Sequence, residues 1–127
     1  MLKPTKTSEA PSAATLYSQA MTCGNLLFSS GNLPIDPKTG EIVGNDVTSQ
    51  MEMIMKNIGA VLGANDIGFD QVIKTTCFLT DIADFEAFNK VYTKHFTADA
   101  KPARSTVAVR ALPRGALCEV EFVADVG

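Results

Sequence analysis

Arg104 is the residue best placed for chemistry. It follows Pro102-Ala103 and heads the apolar run Thr106-Val107-Ala108-Val109. Pro102 biases Lys101 towards extended geometry, and a strand beyond it would fix the direction of the guanidinium. A guanidinium held in this way can receive a carboxylate through two parallel hydrogen bonds. Position alone favours a plainer reading: a solvated arginine at a strand end, or one half of an inter-subunit ion pair. Glu119 stands between Cys118 and Val120, and Glu121 points to the same side of the strand. The pair reads either as a solvated strand face or as a carboxylate that orients a water molecule, and spacing favours the first. Ser30-Gly31 follows a strand-like run. Gly31 would let a ligand approach the backbone and bond its carbonyl, although a plain turn glycine is commoner. Tyr17 and Asn89 are polar groups able to line a pocket. Otherwise they are a half-buried strand tyrosine and a polar residue on a helix face.

Several chemistries lack support. No GxGxxG, Walker loop, GxSxG or HExxH pattern occurs, so nothing points to a cofactor or a hydrolytic triad. His95 is the only histidine, and Cys23, Cys77 and Cys118 are far apart with no CxxC, which disfavours a zinc site or a disulfide framework. Cys77 and Cys118 lie in strand-like runs and read as small buried hydrophobes, in keeping with a reducing compartment. The formal net charge is −3 and no basic run exists, which makes nucleic acid a disfavoured partner. No segment approaches the roughly 18 consecutive apolar residues of a membrane helix. Lys3 and Lys6 among Ser and Thr hint at a mitochondrial transit segment, but that stretch lacks Arg and contains Glu9. The expected location is the cytoplasm.

The elements that would carry these residues follow from the pattern. A length of 127 residues argues for one domain, 1–127, with 1–14 an irregular lead-in rich in Lys, Pro, Ser, Thr and Ala. Residues 16–21 and 26–30 read as a hairpin around Cys23-Gly24-Asn25. Asp36-Pro37-Lys38-Thr39-Gly40 is a turn, and 41–43 reads as a short third strand. Val47, Met51, Ile54, Ile58 and Val61 recur at spacings of three and four, predicting a helix over 46–62 capped by Asp46 and ended by Gly63, Asn65 and Gly68. Residues 72–79 read as a central strand. Asp81 or Asp84 caps a second helix that runs to about Phe96, with Phe85, Phe88, Val91, Tyr92 and Phe96 as its stripe. Residues 105–109 and 117–124 are the last strands.

The order β-β-β-α-β-α-β-β predicts an α+β fold, a two-layer sandwich with two helices on one face of a mixed sheet. Strands 72–79 and 117–124 carry apolar residues at neighbouring positions, so both sheet faces want burial. A homo-oligomer that packs open faces together would satisfy them.

Pro102-Ala103-Arg104-Ser105-Thr106-Val107, followed by Leu112-Pro113-Arg114-Gly115-Ala116-Leu117-Cys118-Glu119-Val120-Glu121, resembles the signature of the RidA/YjgF family. The likeness spans nearly the whole chain. It includes Tyr17-Ser18-Gln19-Ala20, Ser30-Gly31-Asn32-Leu33-Pro34, Pro37-Lys38-Thr39-Gly40, Lys74-Thr75-Thr76, Asp81 to Phe85, and Asn89. The resemblance implies a chorismate-mutase-like fold and a homotrimeric barrel with clefts between subunits. It also implies 2-iminobutanoate/2-iminopropanoate deaminase activity without a cofactor, its ligands being small 2-imino and 2-keto acids. By position, Arg104 would bind the substrate carboxylate, Glu119 would orient water and the Gly31 carbonyl would hold the imine nitrogen. Tyr17, Ser30, Asn89 and Thr106 would complete the substrate-binding cleft. The chain departs from the family pattern at Thr15-Leu16, where Gly-Pro is common, at Asn32 in place of Gln, and at Thr106, where many deaminases have Cys. If position 106 acts through its backbone, Thr serves; if through its side chain, substrate range differs. Two other functions attach to such proteins: an endoribonuclease or translation inhibitor of the L-PSP type, and a non-catalytic metabolite-binding or chaperone-like trimer.

Overall fold

In a computed structural model, which describes residues 1–13 and 15–127, six strands form one sheet in the order β1-β2-β3-β6-β4-β5. The strands are β1 (Leu2–Pro4), β2 (Ala20–Cys23), β3 (Leu26–Ser29), β4 (Val72–Leu79), β5 (Ala103–Ala108) and β6 (Cys118–Asp125). The helices are α1 (Val47–Gly63) and α2 (Phe85–His95). All neighbours pair antiparallel except β4 and β5, which run parallel and are joined through α2, as a parallel pair requires a crossover.

Both helices cover one sheet face. The predicted α1 stripe of Val47, Met51, Ile54, Ile58 and Val61 is buried throughout, together with Phe88, Val91 and Tyr92 of α2. The sheet answers with Leu27, Val72, Cys77, Leu79, Cys118, Val120, Phe122 and Ala124. Asp46 caps α1 as expected, its carboxylate accepting from the Ser49 N–H at 2.8 Å. Asp81 caps a single 3-10 turn, and α2 begins only at Phe85.

The first three strands fall elsewhere than expected. Residues 1–14 are not all irregular, because Leu2–Pro4 adds a strand to the exposed side of β2. Pro4 is tolerated there because an edge strand has no partner on its far side. The hairpin's first strand starts at Ala20 rather than at residue 16. Upstream, the Leu16 and Tyr17 N–H groups both turn back onto the Ala13 carbonyl. Residues 41–43 do not join the sheet. Their hydrogen bonds return to residues 34–36, leaving only an isolated bridge between Ile35 and Ile42 across the 36–40 turn.

The open sheet face is part charged and part apolar. Along β6 the alternation is strict: Cys118, Val120, Phe122 and Ala124 are buried, while Glu119, Glu121, Val123 and Asp125 point away. That outward row is largely acidic. The large apolar side chains left exposed on the sheet are Leu2, Phe28, Ile73 and Val107.

Candidate active site

Arg104 is the second residue of β5, an edge strand. It registers with Thr75 of β4, whose side chain is fully buried under α2, so Arg104 lies on the helix-covered face. Phe85, Asn89 and Tyr92 occur at i, i+4 and i+7 on α2 and therefore share the stripe that meets it. The guanidinium carbon lies 4.7 Å from the Tyr92 ring centroid and 5.5 Å from that of Phe85. Nη1 donates to Asn89 Oδ1 at 2.7 Å. Tyr92 is itself fixed by a 2.8 Å hydrogen bond between its hydroxyl and Thr75 Oγ1. Among the described residues no carboxylate lies within ion-pair distance of Arg104, and the one salt bridge joins Lys94 to Glu52. Arg104 is thus a half-buried cation on an aromatic floor, tethered at one nitrogen and free at the others.

The surroundings keep that charge single. Burial pushes up the Tyr92 phenol and the Cys77 thiol, and it outweighs the nearby Arg104 charge that favours a Cys77 thiolate. Burial also pushes the Cys118 thiol up to about 12. Both thiols are therefore neutral and unsuited to nucleophilic work.

Thr106 shares the helix face with Arg104 and registers with Cys77. Its hydroxyl oxygen is buried and has no hydrogen-bond partner among the described residues. The side chain is turned inward, leaving the backbone as the part of Thr106 that a ligand can meet. The Val109 N–H donates to the Leu79 carbonyl at 2.7 Å. Backbone direction alternates along a strand, so the N–H groups of Thr106 and Arg104 face the open edge.

A second cluster forms where β3 ends. Asn32 Nδ2 donates to the Ser30 carbonyl at 3.2 Å and to the Val120 carbonyl at 3.0 Å, pinning the turn at Gly31 against β6. Ser30 Oγ donates to the Ser18 carbonyl at 2.6 Å. The Glu119 carboxylate packs so close to Gly31 that a Cβ there would displace it, so glycine leaves room for the carboxylate in this position. Burial raises the Glu119 carboxyl above the usual range, and the Glu121 charge raises it further. Tyr17, 47 % exposed, lines a small cavity with Ser30, Gly31 and Asn32.

The structure therefore gathers the seven candidate residues into two groups: Arg104, Asn89 and Thr106, and Tyr17, Ser30, Gly31 and Glu119. It does not bring the groups together within one subunit. Glu119 registers with Phe78, which alternates with Thr75 and Cys77, so Glu119 and Arg104 occupy opposite faces with β4 between their strands. Tyr92 belongs to the core stripe that periodicity predicts, and it also seats Arg104, a part the stripe alone does not assign to it. The signal was available in the spacing of Phe85, Asn89 and Tyr92. Among the described residues no three His, Cys, Asp or Glu side chains stand close enough to share a metal ion, and no helix is long and apolar enough to cross a membrane.

This fold and these motifs define a known class. The family model described as Endoribonuclease L-PSP matches residues 7–126. The chain is 46 % identical over 125 residues to a putative regulator, AldR, of Lactococcus lactis, covering 98 % of each chain. It is 45 % identical over 118 residues to Reactive Intermediate Deaminase A, chloroplastic, of Arabidopsis thaliana, covering 93 % of this chain and 63 % of that one. Among solved structures, YyfA of Yersinia pestis, a Rid-family protein of unknown function, superposes with a TM-score of 0.96 at 42 % identity, covering 98 % and 99 % of the two chains. TdcF of E. coli with bound serine gives 0.89 at 35 % identity, covering 97 % and 98 %. The chain belongs to the Rid/L-PSP family, which includes reactive intermediate deaminases.

Proposed function

We propose that this protein hydrolyses small 2-imino acids, such as 2-iminobutanoate and 2-iminopropanoate, to 2-keto acids and ammonia. The observation that carries the reading is Arg104: oriented by Asn89, seated on Tyr92, unpaired with any carboxylate among the described residues, and neighboured by the outward N–H of Thr106. Two guanidinium donors and a backbone N–H suit one small carboxylate. The amino acid held by TdcF and the deaminase name of the plant relative agree with a ligand of that class.

The chemistry asks little more than positioning. A protonated imine is electrophilic at carbon. Glu119 orients a water and takes its proton as the new C–O bond forms. The resulting carbinolamine collapses: Glu119 returns its proton to nitrogen, the C–N bond breaks with its electron pair leaving on nitrogen as ammonia, and the C=O bond forms as the carbinol O–H proton passes to solvent. The Gly31 carbonyl holds the nitrogen, and Tyr17, Ser30 and Asn89 line the cleft. Because Arg104 and Glu119 lie on opposite faces of one sheet, the site is assembled between subunits of a homotrimer, each cleft taking Arg104 from one chain and Glu119 from its neighbour. The reaction needs no cofactor and is assigned to the cytoplasm.

The family description favours a second reading, ribonuclease activity. A net charge of −3 without a basic stripe argues against a nucleic-acid substrate. A crystal complex with 2-oxobutanoate tests the proposal. The expected result is the carboxylate on Arg104 and the keto carbon facing Gly31 and Glu119 of the neighbouring subunit. A keto acid bound away from Arg104 would contradict it.

A further inference from the structure

Beyond Arg104 a groove continues along the last turn of α2. It has a volume of about 340 Å³, enough for a small metabolite, and its lining includes Asn89, Tyr92, Phe96, Lys101, Pro102 and Arg104. It lies on the α2 side of β5, away from the open sheet face. Its wall is apolar: the Tyr92 and Phe96 ring centroids are 4.4 Å apart, and Pro102 adds a third ring. A short aliphatic chain suits such a wall.

The groove also holds two cations and no counter-charge. One is Arg104. The other is Lys101, whose Nζ donates to the carbonyls of Phe96 at 3.0 Å and Ala98 at 2.6 Å. These bonds have a structural use of their own, because α2 ends at Phe96 and the carbonyls there lack helical partners. They also fix an ammonium that a surface lysine would otherwise leave free, and they leave its third proton for a ligand. No Asp or Glu lines the groove, and among the described residues neither cation has a carboxylate within ion-pair distance. Four residues of chain separate Tyr92, which seats Arg104, from Phe96, which holds Lys101, a helical rise of about 6 Å. Two carboxylates joined through a keto or imino carbon and two methylenes lie about 5 Å apart when extended, at carbon–carbon bonds of about 1.5 Å. A monocarboxylate would meet one cation and leave the other to water.

We propose that this groove selects 2-imino and 2-keto acids that carry a second carboxylate, Arg104 taking the one beside the reacting carbon and Lys101 the distal one. That the occupant is a substrate rests on the imine hydrolysis proposed above; the binding does not. The bond changes are the same: water adds to the imine carbon, nitrogen leaves as ammonia, and the distal carboxylate takes no part. Lys101 is thus a specificity-determining residue that touches the far end of the ligand.

The test is calorimetric binding of 2-oxoglutarate, 2-oxobutanoate and 2-oxohexanoate to the intact protein at one ionic strength, the last having similar length and no distal charge. The expected result is 2-oxoglutarate bound about fivefold more tightly than either monoacid, the upper range for an exposed ion pair. In Lys101→Met that ratio should fall to about one. Equal binding of the three, a preference for 2-oxohexanoate, no binding of any, or a diacid preference that survives in Lys101→Met would overturn the proposal. If Lys101→Met does not fold, a crystal complex of the wild type with 2-oxoglutarate decides the matter: the distal carboxylate on Lys101 supports the assignment, and any other position overturns it. Imine hydrolysis is measured separately. Hydrolysis of 2-iminobutanoate without a diacid preference removes the distal site and leaves the reaction standing; a diacid preference in binding without hydrolysis of any imine does the reverse.

Discussion

At Arg104 one side chain meets three constraints: a floor from Tyr92, a tether from Asn89 and a direction from β5. Glu119 is tuned differently. Burial holds its proton to higher pH than an ordinary carboxyl, and Glu121 adds to the effect. A base must be ionised, so imine hydrolysis is expected to fall as pH drops through that raised value. A pH–rate profile should show this acidic limb in the wild type. In Glu119→Gln the rate should be low at every pH and the limb absent. The same shift has a consequence for folding. The unfolded chain holds this proton less tightly than the folded one, so ionised Glu119 opposes folding, and its cost is relieved as pH falls through the folded value. Glu119→Gln should therefore raise the urea midpoint at neutral pH while lowering activity. An unchanged acidic limb in that variant would remove Glu119 from the base role.

At the scale of elements, buried polar side chains tie the loops to the framework. Gln19 accepts from the Thr7 N–H at 2.8 Å and donates to three carbonyls, fastening residues 7–11 beside the Tyr17 turn. Gln19→Ala leaves these backbone groups unpaired. We expect a loss of roughly 2–3 kcal/mol in urea denaturation, since each buried orphan costs about 1–3 kcal/mol and water reaches some of them. A loss near zero would show that the segment is held by other contacts. Gln19, Asn57 and Gln50 also show where sequence reasoning stopped. Periodicity revealed α1 and α2, whose buried stripes repeat at 3.6 residues, while runs of β-branched and apolar residues marked β4–β6. It does not reveal a strand of three exposed residues at 2–4, whose place is set by the free edge of β2. Nor does it show which glutamine or asparagine is buried, since that depends on distant carbonyls. Arg104 and Glu119 could be singled out in the sequence, but their separation onto opposite faces needed the register of β4 against both neighbours.

For the whole molecule, the open sheet face carries both the acidic row of β6 and the exposed Phe28 and Val107. A trimer that completes the site must cover part of this face. Light scattering is expected to give about three times the 13.5 kDa chain mass. Val107→Lys, which places a charge on that face without entering the helix-side core, should lower the mass to that of the single chain and abolish hydrolysis with it. Circular dichroism should stay that of a folded protein. A monomeric variant that retained full activity would mean that one subunit holds a complete site.

The most direct test of the central claim is the rate of 2-oxobutanoate formation from 2-iminobutanoate generated in situ, with wild type against Arg104→Ala. The account predicts clear acceleration by the wild type and a fall of about 100-fold or more in kcat/KM in the variant. That fall corresponds to about 2.7 kcal/mol, within the range expected for charge-assisted bonds to one carboxylate. No acceleration by the wild type, or equal acceleration by both, would contradict it.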